Sequence, residues 1–292
     1  DHVKPKMAGA IGQVIVIVSL FVAWYFCIHS YEQTLILGLF LGVAGASFAA
    51  ALPLASRWYP AEHQGTAMGI AGAGNSGTAL AALIAPSLAI AYGWTNVFGL
   101  ALIPLIVVFI LYLVMARDAP ECPAPKSLAE YFAVLKDKDA WWFMFFYSVT
   151  FGGFVGLASS LTIYFNTQYG LDAKTAGFFT AACVFAGSLV RPIGGNVADR
   201  IGGVKSLSVM YMGAALFLAI VSFGLPSAWA ALAGFVAAML ALGMGNGAVF
   251  QLVPQRFRKE IGVMTGLVGM AGGVGGFYLA SSLGYAKQAT GS

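Results

Sequence analysis

Residues 190–206 read Val190-Arg-Pro-Ile-Gly-Gly-Asn-Val-Ala-Asp199-Arg-Ile-Gly-Gly-Val-Lys205-Ser206. Upstream, Thr175–Ala198 carries a single formal charge, Arg191; downstream, Ser206–Gln255 carries none. A helix needs about 20 apolar residues to cross a bilayer. The stretch therefore reads as a short polar joint between membrane-length runs. Gly202 and Gly203 permit a tight turn. Asp199, at a helix end, can face the N-terminus of a neighbouring helix and the cations beside it, Arg200 and Lys205.

Composition extends this reading to the whole chain. Of 292 residues, 60% are hydrophobic and 9% charged, with a mean hydropathy of +0.84. Soluble domains average about 25% charged residues. A water-soluble globule cannot hide this much apolar surface, and disordered chains have the opposite composition. Soluble enzymes and nucleic-acid binders are excluded. The cysteines, Cys27, Cys122 and Cys183, are far apart and lack metal-ligand spacing. They read as free thiols, with no metal or cofactor implied.

The apolar runs predict nine spans: Met7–Tyr31; Gln33–Ser56; two within Gln64–Ala116, parted at Tyr92-Gly93-Trp94; Ala140–Leu171; Thr175–Ala198; two within Ser206–Gln255, parted at Gly224-Leu225-Pro226-Ser227; and Ile261–Ala286. Runs of this length are helices, because a barrel needs short alternating strands. One set of loops holds Lys4, Lys6, Arg57, Arg117, Lys126, Lys136, Lys138, Arg200, Lys205, Arg256, Arg258 and Lys259; the opposite set holds Lys174 and Lys287. The excess of cations marks the cytoplasmic side. The expectation is a multi-pass protein of the cell (inner) membrane with a cytoplasmic N-terminus.

An internal repeat spaces related features by about 200 residues. Asp1-His-Val-Lys-Pro-Lys6 stands before the first span as Asp199–Lys205 stands before the seventh. Gly65, Gly69 and Gly72 match Gly262, Gly266 and Gly269. Two spans precede Asp199 in the second half and none precedes Asp1. One span follows the Gly-rich run Ala71–Leu80, and none follows Gly269–Leu279. Adding two helices before residue 1 and one after residue 292 gives six plus six, the expected complete architecture. The domains read as 1–116, the remainder of an N-terminal helical bundle with four spans; 117–139, a cytoplasmic linker; and 140–292, a C-terminal bundle with five. Ser127 and Glu130 form a capping box for a short amphipathic helix in the linker.

Arg191 is the one formal charge inside a span, about 12 Å from Asp199 along a helix. A buried arginine is costly in lipid and should meet an anion. None of the 11 acidic residues lies within a span, which points to an external anion as its partner. The same lack of intramembrane acids argues against a carboxylate proton site. Asn75 is a carboxamide in mid-span that can donate to a small planar anion, whereas the surrounding glycines are explained in the main by close helix packing.

Gly195-x-x-x-Asp199-Arg200-x-Gly202-Gly203-x-Lys205 resembles the cytoplasmic signature of the major facilitator superfamily. Ala-Gly-Ala-Gly-Asn-Ser-Gly-Thr (71–78) and Gly-Met-Ala-Gly-Gly-Val-Gly-Gly-Phe-Tyr-Leu (269–279) resemble the two nitrate-signature segments of its nitrate/nitrite porter family. The resemblance implies an all-α bundle with two pseudo-symmetric halves. It implies a secondary transporter of nitrate and/or nitrite working by alternating access, not an enzyme. In that family nitrate lies between two arginines, is sandwiched by aromatic rings, and is hydrogen-bonded by an Asn and a Tyr. The resemblance assigns the second-half arginine to Arg191, the rings to Phe48 and Phe250, and the polar contacts to Asn75 and Tyr147, with Phe151 lining the site. It assigns gating to the signature glycines Gly72, Gly74, Gly77, Gly269, Gly272, Gly273, Gly275 and Gly276. The first-half arginine belongs to a helix outside this sequence. Partners are then nitrate or nitrite, the bilayer, and a counter-anion or proton.

Two other readings stand beside this one. The first is a carrier of the same fold for another small or organic anion, which needs Arg191 but not the Gly-rich signatures. The second is an intramembrane serine protease built on Gly74-Asn-Ser76-Gly77. A serine nucleophile needs a base within reach, and His2, His29 and His63 all lie at loops or span ends.

Overall fold

The computed structural model describes residues 4–56, 58–60, 63–118, 133–258 and 260–290, without the side chains of 46–56 and 64. Asp1, the Ser127–Glu130 capping box, Cys122 and the Phe48 side chain therefore lie outside the described residues. Among those described, the regular structure is helical throughout: α1 (Pro5–Tyr25), α2 (Tyr31–Ser56), α3 (Gln64–Gly72), a 3-10 turn (Ala73–Asn75), α4 (Ser76–Tyr92), α5 (Trp94–Met115), a 3-10 turn (Val134–Lys136), α6 (Lys138–Tyr169), α7 (Ala173–Leu189), α8 (Arg191–Ile201), α9 (Gly203–Ser222), α10 (Ala228–Arg256) and α11 (Ile261–Thr290). Eight of the described segments are long and apolar enough to cross a membrane, with α3–α4 and α7–α8 each counting as one. The 26-residue α2 is apolar over Tyr31–Gly45 as well.

The boundaries follow local chemistry. Gly93 (φ 83°) parts α4 from α5, and Gly202 (φ 92°) parts α8 from α9; both conformations are costly for any side chain with a Cβ. The Asp137 side chain caps α6 through the Asp139 N–H, and Ser227 caps α10 through the Ala230 N–H. Asp172 caps α7 through the N–H groups of Lys174 and Thr175. Hydrogen bonding from the Thr175 side chain and backbone holds the Asp172 carboxyl below the ordinary aspartate range. The stabilisation from this cap is present above the ordinary aspartate pKa and is lost as pH falls through the lowered one.

Packing divides into two groups. In the first, α1 packs on α2 and α5, α2 on α3, and α4 on α5. In the second, α6 packs on α7, α10 and α11, and α10 on α7, α8 and α9. The groups meet where α3 lies on α8 and α10, α4 on α7, and α2 on α11. That junction is itself part of the core. Met68 of α3 is buried in a cluster with Tyr147, Val249, Phe250 and Met264, and Ala79 of α4 in another with Phe154, Phe179 and Val184. Outward faces stay apolar: Ile103, Val107, Ile110, Leu111 and Val114 of α5 are all exposed, as lipid contact requires.

Two spans bend where hydropathy gives no warning. The third breaks into α3, a 3-10 turn and α4; the sixth breaks at Val190 into α7 and α8, with Pro192 in the first turn of α8. Proline lacks an N–H and its ring collides with the carbonyl four residues earlier, which accounts for the second break. The two breaks face each other.

Candidate anion site

Arg191 stands at the first position of α8 and is 1% exposed. Its Nη1 donates to the Gly72 carbonyl at 3.0 Å, across 119 residues of sequence. The Ser76 N–H, which would reach this carbonyl in a regular helix, bonds instead to Ala73 and Gly74 at the 3-10 turn, and a lone pair of the Gly72 carbonyl serves Arg191. A carboxamide's oxygen and nitrogen are told apart by what they face. A guanidinium offers donors only, so Oδ1 of Asn75 is the atom turned to Arg191, accepting from Nη1 at 2.7 Å and Nη2 at 3.1 Å. Asn75 thus acts first as an acceptor for Arg191, with its NH2 group left for another partner. Neither partner is visible in a count of acidic residues, because backbone and amide oxygens carry no formal charge.

Aromatic faces enclose the cation. The Arg191 Cζ lies 5.3 Å from the Phe151 ring centroid and 5.2 Å from that of Phe154. Such contacts are worth about 2 kcal/mol when desolvated. Tyr147, 0% exposed, stacks on Phe151 at 4.9 Å and meets Phe250 edge-on at 4.8 Å. Its buried hydroxyl faces the Arg191 guanidinium but does not meet strict hydrogen-bond geometry with any described residue. Nε of Arg191 is likewise buried and unpaired. Arg191, Asn75, Tyr147, Phe151 and Phe250 are therefore brought together, joined by Phe154 and the Gly72 carbonyl, which sequence reasoning did not single out. Asn246, one turn before Phe250 on α10, is buried with both carboxamide atoms unpaired. Its signal was an amide within an apolar run.

The signature glycines divide by environment. At Gly272 a Cβ would lie 2.7 Å from both the Tyr147 and Phe151 rings; at Gly276 it would lie 3.1 Å from Val155. At Gly275 it would strike the Ser148 carbonyl. Gly74, Gly77, Gly269 and Gly273 have nothing within 4 Å of that position. The Gly-rich segments pack on different partners: α3 on α8 and α10, α11 on α6 and α2.

At the far end of α8, Asp199 Oδ2 accepts from the Thr66 N–H and hydroxyl, both at 3.1 Å. The carboxylate thereby meets the first turn of α3, where free N–H groups and the helix dipole favour negative charge. Gly195 lies directly against the Gly65 backbone, and at Gly69 a Cβ would be 2.8 Å from the Arg191 carbonyl oxygen. Gly203 is buried beside Gln251 and Leu252, while Arg200 and Lys205 are exposed. Nearby, Arg256 joins Asp137 at 2.8 Å and Asp139 at 2.6 Å; half exposed, these pairs contribute little to stability.

Other features offer less. A groove of 320 Å3 between α1 and α2 is lined by residues such as Val18, Val22, Ile36 and Phe40 and presents no charge to an anion. His63 precedes α3, 13 positions before Ser76. That is roughly 20 Å of helix, far beyond a nucleophile–base hydrogen bond.

Residues 1–280 match the sequence profile of the Major Facilitator Superfamily. The chain is 36% identical over 255 residues to a nitrite extrusion protein of Bacillus subtilis, covering 87% of this chain and 64% of that protein. It is 33% identical over 266 residues to a probable nitrate transporter of Staphylococcus carnosus, covering 90% of this chain and 68% of that one. The chain thus spans about two thirds of the length of these relatives. The crystal structure of the Escherichia coli fucose:proton symporter superposes with a TM-score of 0.72 at 16% identity, over 99% of this chain and 78% of that one, a likeness of fold alone.

Proposed function

The chain belongs to the nitrate/nitrite porter family of the major facilitator superfamily, and from that premise we propose that it moves nitrate and/or nitrite across the cell membrane by alternating access. One observation carries the reading. Arg191 is a buried guanidinium with no carboxylate partner among the described residues, ringed by aromatic faces and holding an unpaired Nε. Its oxygen ligands, Gly72 and Asn75, are dipoles, so the site keeps a full positive charge. A flat oxyanion answers that charge, lies against the faces of Phe151 and Phe250, and accepts from the Tyr147 hydroxyl. The family assigns Phe48 to the other face. Residues 1–116 and 140–292 act as the two rocking bundles, joined by the linker at 117–139. The loop cations put Asp199 and the N-terminus on the cytoplasmic side. A site that stays positive is reset by a second anion more readily than by a proton.

The test is counterflow in proteoliposomes with the full-length protein. Saturable nitrate counterflow, competed by nitrite but not by sulfate or small carboxylates, is the expected result. Exclusive competition by a carboxylate would move the substrate to another anion class. A Gly272→Ala variant probes the ring stack. Its new methyl presses on Tyr147 and Phe151 together, at an overpacking cost of roughly 1–3 kcal/mol. Nitrate affinity should drop about tenfold with the fold retained, as measured by titration and size-exclusion chromatography.

A further inference from the structure

The contact between α3 and α8 has two polar ends. One is the Asp199–Thr66 pair. At the other end, Arg191 of the second half is held by the Gly72 carbonyl and Asn75 Oδ1 of the first. Between them the helices touch backbone to backbone at Gly65, Gly69 and Gly195. No side chain there can stretch to keep the Arg191 bonds if the helices part. Separation of α3 from α8 along the length of this contact would break them.

We infer that Gly72 and Asn75 form a clasp on Arg191 that holds the α3–α8 gate shut and, by gripping the Nη1 end, presents the Nε–Nη2 edge of the guanidinium to the substrate. Three features support it. The clasp joins the two halves, whereas a residue that served only the substrate need not touch the opposite half's arginine. It forms where α3 passes into a 3-10 turn, so that the accepting carbonyl lies at the negative end of a helix dipole. It also leaves the buried Nε unpaired, on the edge that matches two oxygens of a planar oxyanion. A carboxylate in the place of Asn75 would hold Arg191 and neutralise it; a carboxamide holds it and leaves its charge in force. Asn75 is thus a positioning and gating residue as well as a neighbour of the substrate. The proposal rests on the reading above only for the identity of the anion.

Two substitutions pull the gate in opposite directions. Asn75→Ala removes one acceptor of the clasp and should shift the gate toward open by roughly ten- to hundredfold. Asn75→Asp makes the clasp an ion pair, shifts the gate toward closed, and abolishes nitrate binding. The gate is read by spin–spin distance in the full-length protein, with labels on Cys introduced at Trp58 and Ile201, which are 53% and 50% exposed. Cys27, Cys122 and Cys183 are first replaced by Ser. The measurements are made in a nitrate-free gluconate buffer. The long-distance population should rise in Asn75→Ala and fall in Asn75→Asp. Misfolding cannot produce shifts of opposite sign. Unchanged distances in both variants, or shifts in the same direction, would overturn the clasp. Opposite shifts in a protein that binds no nitrate would uphold the clasp and refute the substrate instead.

Discussion

Arg191→Ala abolishes nitrate binding and counterflow in the full-length protein, and Arg191→Lys is almost as damaging. The side chain is buried at the meeting of two broken helices, and no described carboxylate replaces its charge. Removing it takes away two charge-assisted bonds to the anion, each worth roughly 1.5–3 kcal/mol. Affinity should fall by at least about a hundredfold. Lysine keeps the charge but not the geometry. One ammonium cannot grip Gly72 and Asn75 while holding out two parallel N–H groups, and it is more strongly hydrated. The comparison is nitrate titration and counterflow for wild type, Arg191→Lys and Arg191→Ala at matched expression. Near-wild-type counterflow with lysine would sink the fork geometry, and with alanine it would remove Arg191 from the site.

Gly195→Val eliminates transport by wedging α3 from α8. A Cβ on Gly195 would strike the Gly65 carbonyl and lie 3.0 Å from the Thr66 nitrogen. Both are backbone atoms, so no rotamer change relieves the clash. The same displacement pulls Thr66 from Asp199 and Gly72 from Arg191. Each helix keeps its own hydrogen-bond ladder, so the protein should still insert and purify as a monodisperse species. Gly284→Ala is the contrast: nothing lies within 4 Å of its Cβ position. It should leave counterflow unchanged and gain up to about 1 kcal/mol of helix propensity. Normal counterflow in Gly195→Val would show that α3 and α8 need not touch during the cycle.

Much of this architecture was legible because membrane insertion is governed by local composition. An apolar run must be a helix in lipid, so the spans around Gly93 and Gly224 could be read residue by residue. Arg191 stood out for the same reason, as did the turn at Gly202. Asp199 could be assigned to a helix N-terminus because a carboxylate beside a Gly–Gly turn has few other stable placements, although its partner Thr66 could not be named.

The sequence by itself determined the helical class, the rough placement of the spans (although Tyr31, read as the end of the first span, begins α2), and the presence of a lone buried cation among small and aromatic residues. Those properties depend on side-chain type, which is written in the order of letters. Only the tertiary structure decided that α3 and α7 stop in mid-span, that Phe154 rather than Phe151 alone covers Arg191, and that Gly72 and Asn75 hold it from the opposite half. The ligand at Gly72 is a backbone carbonyl, which every residue possesses. What makes it a ligand is its place at the end of α3 and the packing that brings it 3.0 Å from a residue 119 positions away. Hydropathy and motif spacing are local along the chain, and neither records which carbonyl a distant helix will meet.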